Sequence, residues 1–261
     1  MGKITDKFRV LKAANKKAFV VYLTFGFPSV SFTRNIILAL QETPVDMIEI
    51  GMPFSDPLAD GPILQETAKI AISKGANTDN LFSTISSLKG KINTPLIIMT
   101  YYNPVYRFGV DRFLNNAENA GVSGIMVVDL PIEEASYFIR KSRKLDIDTI
   151  FFVTPETQKN RIKEIVKVSR GFIYYISVAG ITGPRSLSFS SIYNNIRYIK
   201  KFSNIPVCVG FGIHKRSQVR ELSRISDGVI IGSALAKFIK GTYKDKNFFN
   251  KLNYYIKRLH V

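Results

Sequence analysis

The chain has 261 residues, 46% hydrophobic and 22% charged, with 17 Gly, 11 Pro and one Cys, which excludes a disulfide miniprotein, a collagen, a coiled coil and a disordered tail. The length suits one α/β barrel, read as a single domain over residues 1–261 because no linker divides it. The net charge of +17 raises nucleic acid or an anionic membrane as partners, but the basic residues are scattered in ones and twos and no apolar run reaches the ~18 residues of a membrane span, so neither partner is expected.

The opening Met1 to Phe8 has neither the apolar region of a signal peptide nor the long Ser/Arg-rich stretch of a transit peptide. The chain is therefore expected to work where it is translated: the cytoplasm if bacterial, the plastid stroma if organelle-encoded. The first 14 residues read as an extra amphipathic helix, with Ile4, Phe8 and Leu11 on one side, placed to cap the bottom of a barrel. Eight short apolar runs follow: Phe19–Thr24, Asp46–Ile50, Pro95–Thr100, Gly124–Asp129, Asp148–Val153, Phe172–Ser177, Ile205–Val209 and Gly228–Ile231. Several are almost continuously apolar, as strands buried on both faces should be. Each gap leaves room for one helix, and helical spacing shows at Ile36, Ile37 and Leu40, at Ala135, Phe138 and Ile139, and at Ile162, Ile165 and Val166. Eight βα units predict a (β/α)8 TIM barrel, with a doubly wound open sheet as the alternative because periodicity does not prove closure. The lone Cys208 sits in an apolar run and reads as a small core residue.

The second and third runs start 49 residues apart (46 to 95), more than a crossover needs, so an elaborated loop is expected after strand two. Loops at that end of a barrel carry its active site. Glu49 lies one residue from the end of the second run and shares a side with Met47 by strand alternation. Facing inward, it is a buried carboxyl whose raised pKa suits proton transfer near neutral pH; facing outward, it is paired with a lysine on a helix. Asp60 follows in a stretch stiffened by Pro53, Pro57 and Pro62, placed either opposite Glu49 or as a cap for a helix beginning at Pro62. Asp56, before a proline, reads as a turn or surface residue.

Glycines cluster after three consecutive strands, at Gly180 and Gly183, at Gly210 and Gly212, and at Gly232 before Ser233. Gly232-Ser233 opens a helical stretch over Ala234–Ile239, and a helix start of this kind after the last strands is a common barrel phosphate site. With His214 and His260 as the only histidines, a His-rich metal site is excluded and a Ser-His-Asp triad has little to work with. No strand carries a lysine for imine chemistry. Mg²⁺ on Asp56 and Asp60 stays open. What remains is proton transfer by carboxylates on a phosphate-bearing substrate, without metal or organic cofactor.

The stretch Glu49-Ile-Gly-Met-Pro-Phe-Ser-Asp-Pro-Leu-Ala-Asp-Gly-Pro62 resembles the signature of the tryptophan synthase α subunit family almost letter for letter. Blocks at Tyr22–Gly26, Met99–Pro104, Val128–Glu134, Phe172–Gly183, Gly210–Ile213 and Gly232–Ala234 match in order, so the resemblance spans essentially the whole chain. It implies a (β/α)8 barrel that cleaves indole-3-glycerol phosphate to indole and glyceraldehyde 3-phosphate, a carbon–carbon lyase step. It places the catalytic roles on Glu49 and Asp60. Substrate contacts fall on Tyr22, Tyr174, Thr182, Gly183, Phe211, Gly212, Gly232 and Ser233, with Thr182 meeting the aspartate when a lid closes. Pro53, Asp56, Pro57, Tyr101, Asn103 and Asp129 match positions at or near a β subunit. That β subunit is a pyridoxal-phosphate (PLP) enzyme expected in an α2β2 heterotetramer, and this chain itself is expected to hold no cofactor. The Ser177–Ser190 segment is expected to be mobile in the free chain. Phe27-Pro28 stands where many members have Asp-Pro, and Ala179 where many have Thr. The competing readings are a barrel like indole-glycerol phosphate synthase and a non-catalytic partner-binding or RNA-binding barrel.

Overall fold

The structure, a computed structural model, describes residues 2–177, 189–210 and 212–261. Its strands are β1 (Ala18–Thr24), β2 (Met47–Gly51), β3 (Leu96–Thr100), β4 (Gly124–Val127), β5 (Asp148–Thr149), β6 (Phe151–Val153), β7 (Ile173–Ile176), β8 (Val207–Gly210) and β9 (Gly228–Ile231). All pair in parallel in the order β5-β4-β3-β2-β1-β9-β8-β7-β6. The two ends of that order, β5 and β6, are consecutive in the chain and separated only by Ile150, whose N–H donates to Ile125 O at 3.1 Å. They are halves of one stave, so the sheet closes and the open doubly wound alternative falls.

The parallel pairing explains why these runs are apolar on both faces. One set of side chains, including Val21, Leu23, Ile48, Ile50 and Ile98, packs outward under the helices. The alternate set, including Val20, Met47, Ile97, Met126, Phe172, Cys208 and Ile230, fills the barrel interior. Helix α1 (Lys3–Ala13) plugs the bottom of that interior with Ile4, Phe8 and Leu11, Phe8 meeting Phe172 edge-on at 6.0 Å. Burying these three contributes roughly 1.5–3 kcal/mol each, which is why an extra helix is kept there.

The outer layer holds α2 (Val30–Leu40), α3 (Pro62–Ser73), α4 (Thr78–Leu88), α5 (Tyr102–Phe108), α6 (Val110–Ala120), α7 (Ser136–Lys144), α8 (Lys159–Val168), α9 (Phe189–Lys200), α10 (Arg216–Ile225), α11 (Ser233–Thr242) and α12 (Phe248–Leu259). The expectation of one helix per gap is corrected at two places. The long gap after β2 holds both α3, with Pro62 in its first turn, and α4, capped reciprocally by Asn77 and Asn80. The gap after β3 holds the seven-residue α5, too short to show a helical period, which ends at Gly109 with φ +90°. After β9, α11 precedes α12.

Strand ends moved by a residue or two. Pro206 lacks an N–H and stays outside β8, while its carbonyl accepts from Ile173 N at 2.8 Å. Asp129 falls beyond β4, and its Oδ1 accepts from Tyr102 N at 2.6 Å at the start of α5.

Candidate active site

Register places Glu49. Its Cα partners are Tyr22 on β1 and Ile97 on β3, so the three side chains share the interior face, two residues above Met47. Glu49 has no exposed surface, and neither carboxyl oxygen has a hydrogen-bond partner among the described residues. Burial without compensation pushes its pKa up to about 8. The outward-facing reading, paired with a lysine, is not what the structure has.

Asp60 reaches the same space from the loop after β2. That loop is pinned by Met52 N to Met99 O (2.8 Å), Asp60 N to Pro57 O (3.0 Å) and Gln65 Nε2 to Asp60 O (2.9 Å). Tyr101, buried beneath it, accepts from Ala59 N at 3.0 Å and donates to the Asp60 carboxyl. Burial raises Asp60 to about 6, the Tyr101 hydrogen bond working against the rise. Helix α3 has Gly61 as N-cap and no side-chain cap bond, so Asp60 is free of the capping role. At neutral pH Glu49 holds its proton while Asp60 is mostly ionised, the division of labour that a proton donor and a charge stabiliser need.

Two tyrosines, Tyr22 on β1 and Tyr174 on β7, share this interior with the carboxyls. Burial, with the nearby carboxyls Asp60 and Glu49 adding to it, opposes ionisation of both Tyr22 and Tyr174, so each phenol stays neutral. Their hydroxyls occupy room that only glycine leaves. A Cβ on Gly51 would lie 1.9 Å from Tyr22 Oη, and one on Gly210 2.3 Å from Tyr174 Oη. Gly210 therefore makes space for a ring, where the sequence reading placed it with the anion glycines. Gly51 was missed, although a glycine inside a strand is a signal of close approach.

The apolar wall also contains residues that no motif announced. Tyr22 clusters with Leu64 of α3 and Ala236 of α11, joined by Ile63 and Met99. Phe152 lies against Tyr174 with ring centroids 5.1 Å apart. Position along a strand would have suggested Met99 and Phe152, which sit at the upper, inward end of their staves.

Helix α11 begins at Ser233 with Gly232 before it, and packs on α3 and β1, with Lys240 Nζ 2.5 Å from Glu66 Oε1. Its free N–H groups and dipole face an anion favourably. Gly212 has φ +74°, a left-handed conformation that suits glycine, and its carbonyl meets His214 Nδ1 at 2.9 Å. Thr182, Gly183 and Phe211, like Gly180 and Ala179, lie outside the described residues.

Of the expected partner-contact positions, Asp56, Asn103 and Asp129 are exposed, Pro57 is half-buried, and Pro53 and Tyr101 are buried. All lie in the segments following β2, β3 and β4. Asp56 accepts from Ser55 Oγ at 2.5 Å. Among the described residues no three His, Cys, Asp or Glu side chains converge as for a metal ion, and no helix is long and apolar enough to cross a membrane.

Residues 8–260 match the family profile described as tryptophan synthase alpha chain. The alpha chain of Petrotoga mobilis is 39% identical over 246 residues, 94% of this chain and 93% of that one. That of Geotalea daltonii is 38% identical, covering 97% of this chain and 96% of its own. The crystal structure of the alpha subunit from Legionella pneumophila superposes with a TM-score of 0.92 at 30% identity, over 99% of this chain and 97% of that one. A mutant alpha-subunit from Pyrococcus furiosus, 37% identical, gives 0.83 over 93% and 97%. With a closed barrel, two inward carboxyls and full-length matches, the chain belongs to the tryptophan synthase alpha chain family.

Proposed function

We propose that the chain is a carbon–carbon lyase that cleaves indole-3-glycerol phosphate into indole and glyceraldehyde 3-phosphate. The observation that carries this reading is geometric: Glu49, fully buried and unpartnered on β2, and the buried Asp60 share one apolar pocket beside a helix start suited to phosphate, and burial raises both carboxyls, Glu49 to about 8 and Asp60 to about 6. The protonated Glu49 delivers its proton to indole C3. The ring becomes cationic, and the Asp60 carboxylate accepts a hydrogen bond from the ring N–H and stabilises that charge. The C–C bond then breaks, its electron pair returning to the ring, while the hydroxyl on the departing carbon loses its proton to Glu49 and becomes the aldehyde. Glu49 ends protonated, so the cycle closes without a cofactor in this chain.

The phosphate is held by Gly212, Gly232 and Ser233, with Gly183 and Phe211 completing that site. Tyr22 and Tyr174 flank the ring. A synthase-like alternative would use a strand lysine, and no strand among the described residues carries one. The exposed Asp56, Asn103 and Asp129 with Pro57, over the buried Pro53 and Tyr101, form the docking face for a PLP-bearing β subunit in an α2β2 assembly. Tyr101 joins that face to Asp60, so docking steadies the aspartate, and a displacement of about 1 Å there changes the rate ~10²-fold. The test is to supply indole-3-glycerol phosphate to the chain alone and with its β partner. Indole and glyceraldehyde 3-phosphate should form in equal amounts, faster by at least about tenfold with the partner. Absence of indole under both conditions would overturn the assignment.

A further inference from the structure

The end of the barrel opposite Glu49 has a character that this reaction does not use. A cavity of about 730 Å³ opens there, between α1 and the segments leading into β7 and β8. Its walls carry six cations, Arg9, Lys12, Lys16, Lys17, Arg170 and Lys200, against one carboxylate, Asp227. Three of the six are paired: Arg9 with Asp6 at 3.2 Å, Lys200 with Asp227 at 2.5 Å, and Arg170 with Asp146 at 3.0 Å and the buried Asp148 at 3.2 Å. Lys12, Lys16 and Lys17 have no carboxylate within ion-pair distance among the described residues.

The C-terminal end of α1 accounts for about half a charge of this excess. The rest repels itself. A neighbouring depression shares Lys16 and Lys17 and adds Arg220 and Arg224, against Asp46. Two loops at the catalytic mouth differ, since residues 52–61 and 128–135 hold Asp56, Asp60, Asp129, Glu133 and Glu134 and no Lys or Arg, Glu133 being paired with Arg161.

The lining also includes the apolar Phe8, Leu11, Val166, Ile205 and Pro206, beside the polar Thr5, Asn15, Ser169, Ser203 and Asn204. Its volume falls in the ~300–1,000 Å³ range of small-molecule sites. We propose that this cavity binds a polyphosphate-bearing small molecule, with Lys12, Lys16 and Lys17 on the phosphates. A single phosphate group would leave part of the triad unmatched, whereas a di- or triphosphate supplies about three to four negative charges. The apolar part of the lining suits the ring of a nucleotide, and an inorganic chain would use the cations alone.

The test is calorimetric titration of the full chain with ATP, with tripolyphosphate and with a single-stranded RNA 12-mer, in about 20 mM and about 200 mM salt. One-to-one binding of ATP or tripolyphosphate is expected, weakened by the added salt. Lys12→Ala/Lys16→Ala/Lys17→Ala should weaken it about tenfold or more, while the control Lys69→Ala/Lys89→Ala/Lys257→Ala changes it by less than about twofold. The control separates a built site from diffuse charge, and the lysine triad separates it from the helix start at Ser233. ATP binding tighter than tripolyphosphate identifies a nucleotide; equal affinities identify an inorganic chain. No binding at low salt, equal losses in both triple variants, or tighter binding of several chains per RNA would overturn the proposal.

Discussion

Glu49→Gln should change the pH dependence of stability in a direction that follows from burial alone. Glu49 has an ordinary value of 4.5 when the chain is unfolded and about 8 when folded. Between those values the unfolded chain has released the proton and the folded chain keeps it, so the unfolded state binds fewer protons and stability falls as pH rises. Below 4.5 both states are protonated and the penalty is absent; above about 8 both are ionised and it is complete. The interval, 8 minus 4.5, corresponds to about 5 kcal/mol at about 1.36 kcal/mol per pH unit. Glutamine has the same shape and no proton to lose. Its unpartnered amide costs about 1–3 kcal/mol, but equally at every pH. Urea unfolding of both proteins followed by circular dichroism from pH 5 to pH 9 should show the difference in ΔG moving toward the variant by several kcal/mol, most of it between pH 5 and 8. The raised values of Asp60 and Asp148 are common to both proteins and largely cancel in the difference. A difference constant to within about 0.5 kcal/mol would refute the idea that Glu49 is buried unpaired.

Other expectations follow from the same geometry. The pH profile of kcat/KM should be bell-shaped, rising through about 6 as Asp60 ionises and falling through about 8 as Glu49 loses its proton. Asp60→Asn should remove the acid limb from whatever activity remains, and an unchanged limb would assign it elsewhere. Gly210→Ala puts a Cβ 2.3 Å from Tyr174 Oη and should destabilise by roughly 1–3 kcal/mol, with partial recovery on adding Tyr174→Leu; strictly additive losses would deny the contact. Gly212→Val, at φ +74°, should raise KM for the phosphorylated substrate by more than about tenfold and leave the affinity for free indole unchanged; equal weakening of both would point to damage to the fold.

The barrel was legible because its strands are buried on two faces, so that Phe19–Thr24 and Ile205–Val209 stand out as apolar runs without any partner in view. Closure was not, since it depends on β5 and β6 flanking Ile150, a pairing that no local pattern encodes. Alternation put Glu49 on the same side as Met47, but whether that side was the barrel interior or faced a helix was decided only by the register with Tyr22 and Ile97. Asp60 was legible only as one of two readings, because its orientation depends on Tyr101, far off in sequence, holding Ala59 and the carboxyl. The roles of Gly51 and Gly210 were hidden for a similar reason: the space they leave is filled by Tyr22 and Tyr174 from neighbouring strands. The basic end of the barrel was hidden too, because Lys12, Lys16 and Lys17 meet Arg170 and Lys200 only when α1 folds under β7 and β8.

The most direct test of the central claim, that Glu49 moves the protons, is single-turnover cleavage of indole-3-glycerol phosphate at pH 7 by wild type and Glu49→Gln, with binding of a non-cleavable phosphorylated analogue measured alongside. The variant should bind the analogue nearly as well and release indole at least ~10²- to 10⁴-fold more slowly. Indole release within about threefold of wild type, at equal analogue affinity, would contradict the account, because a rate difference that small is far below the contribution of a general acid and base.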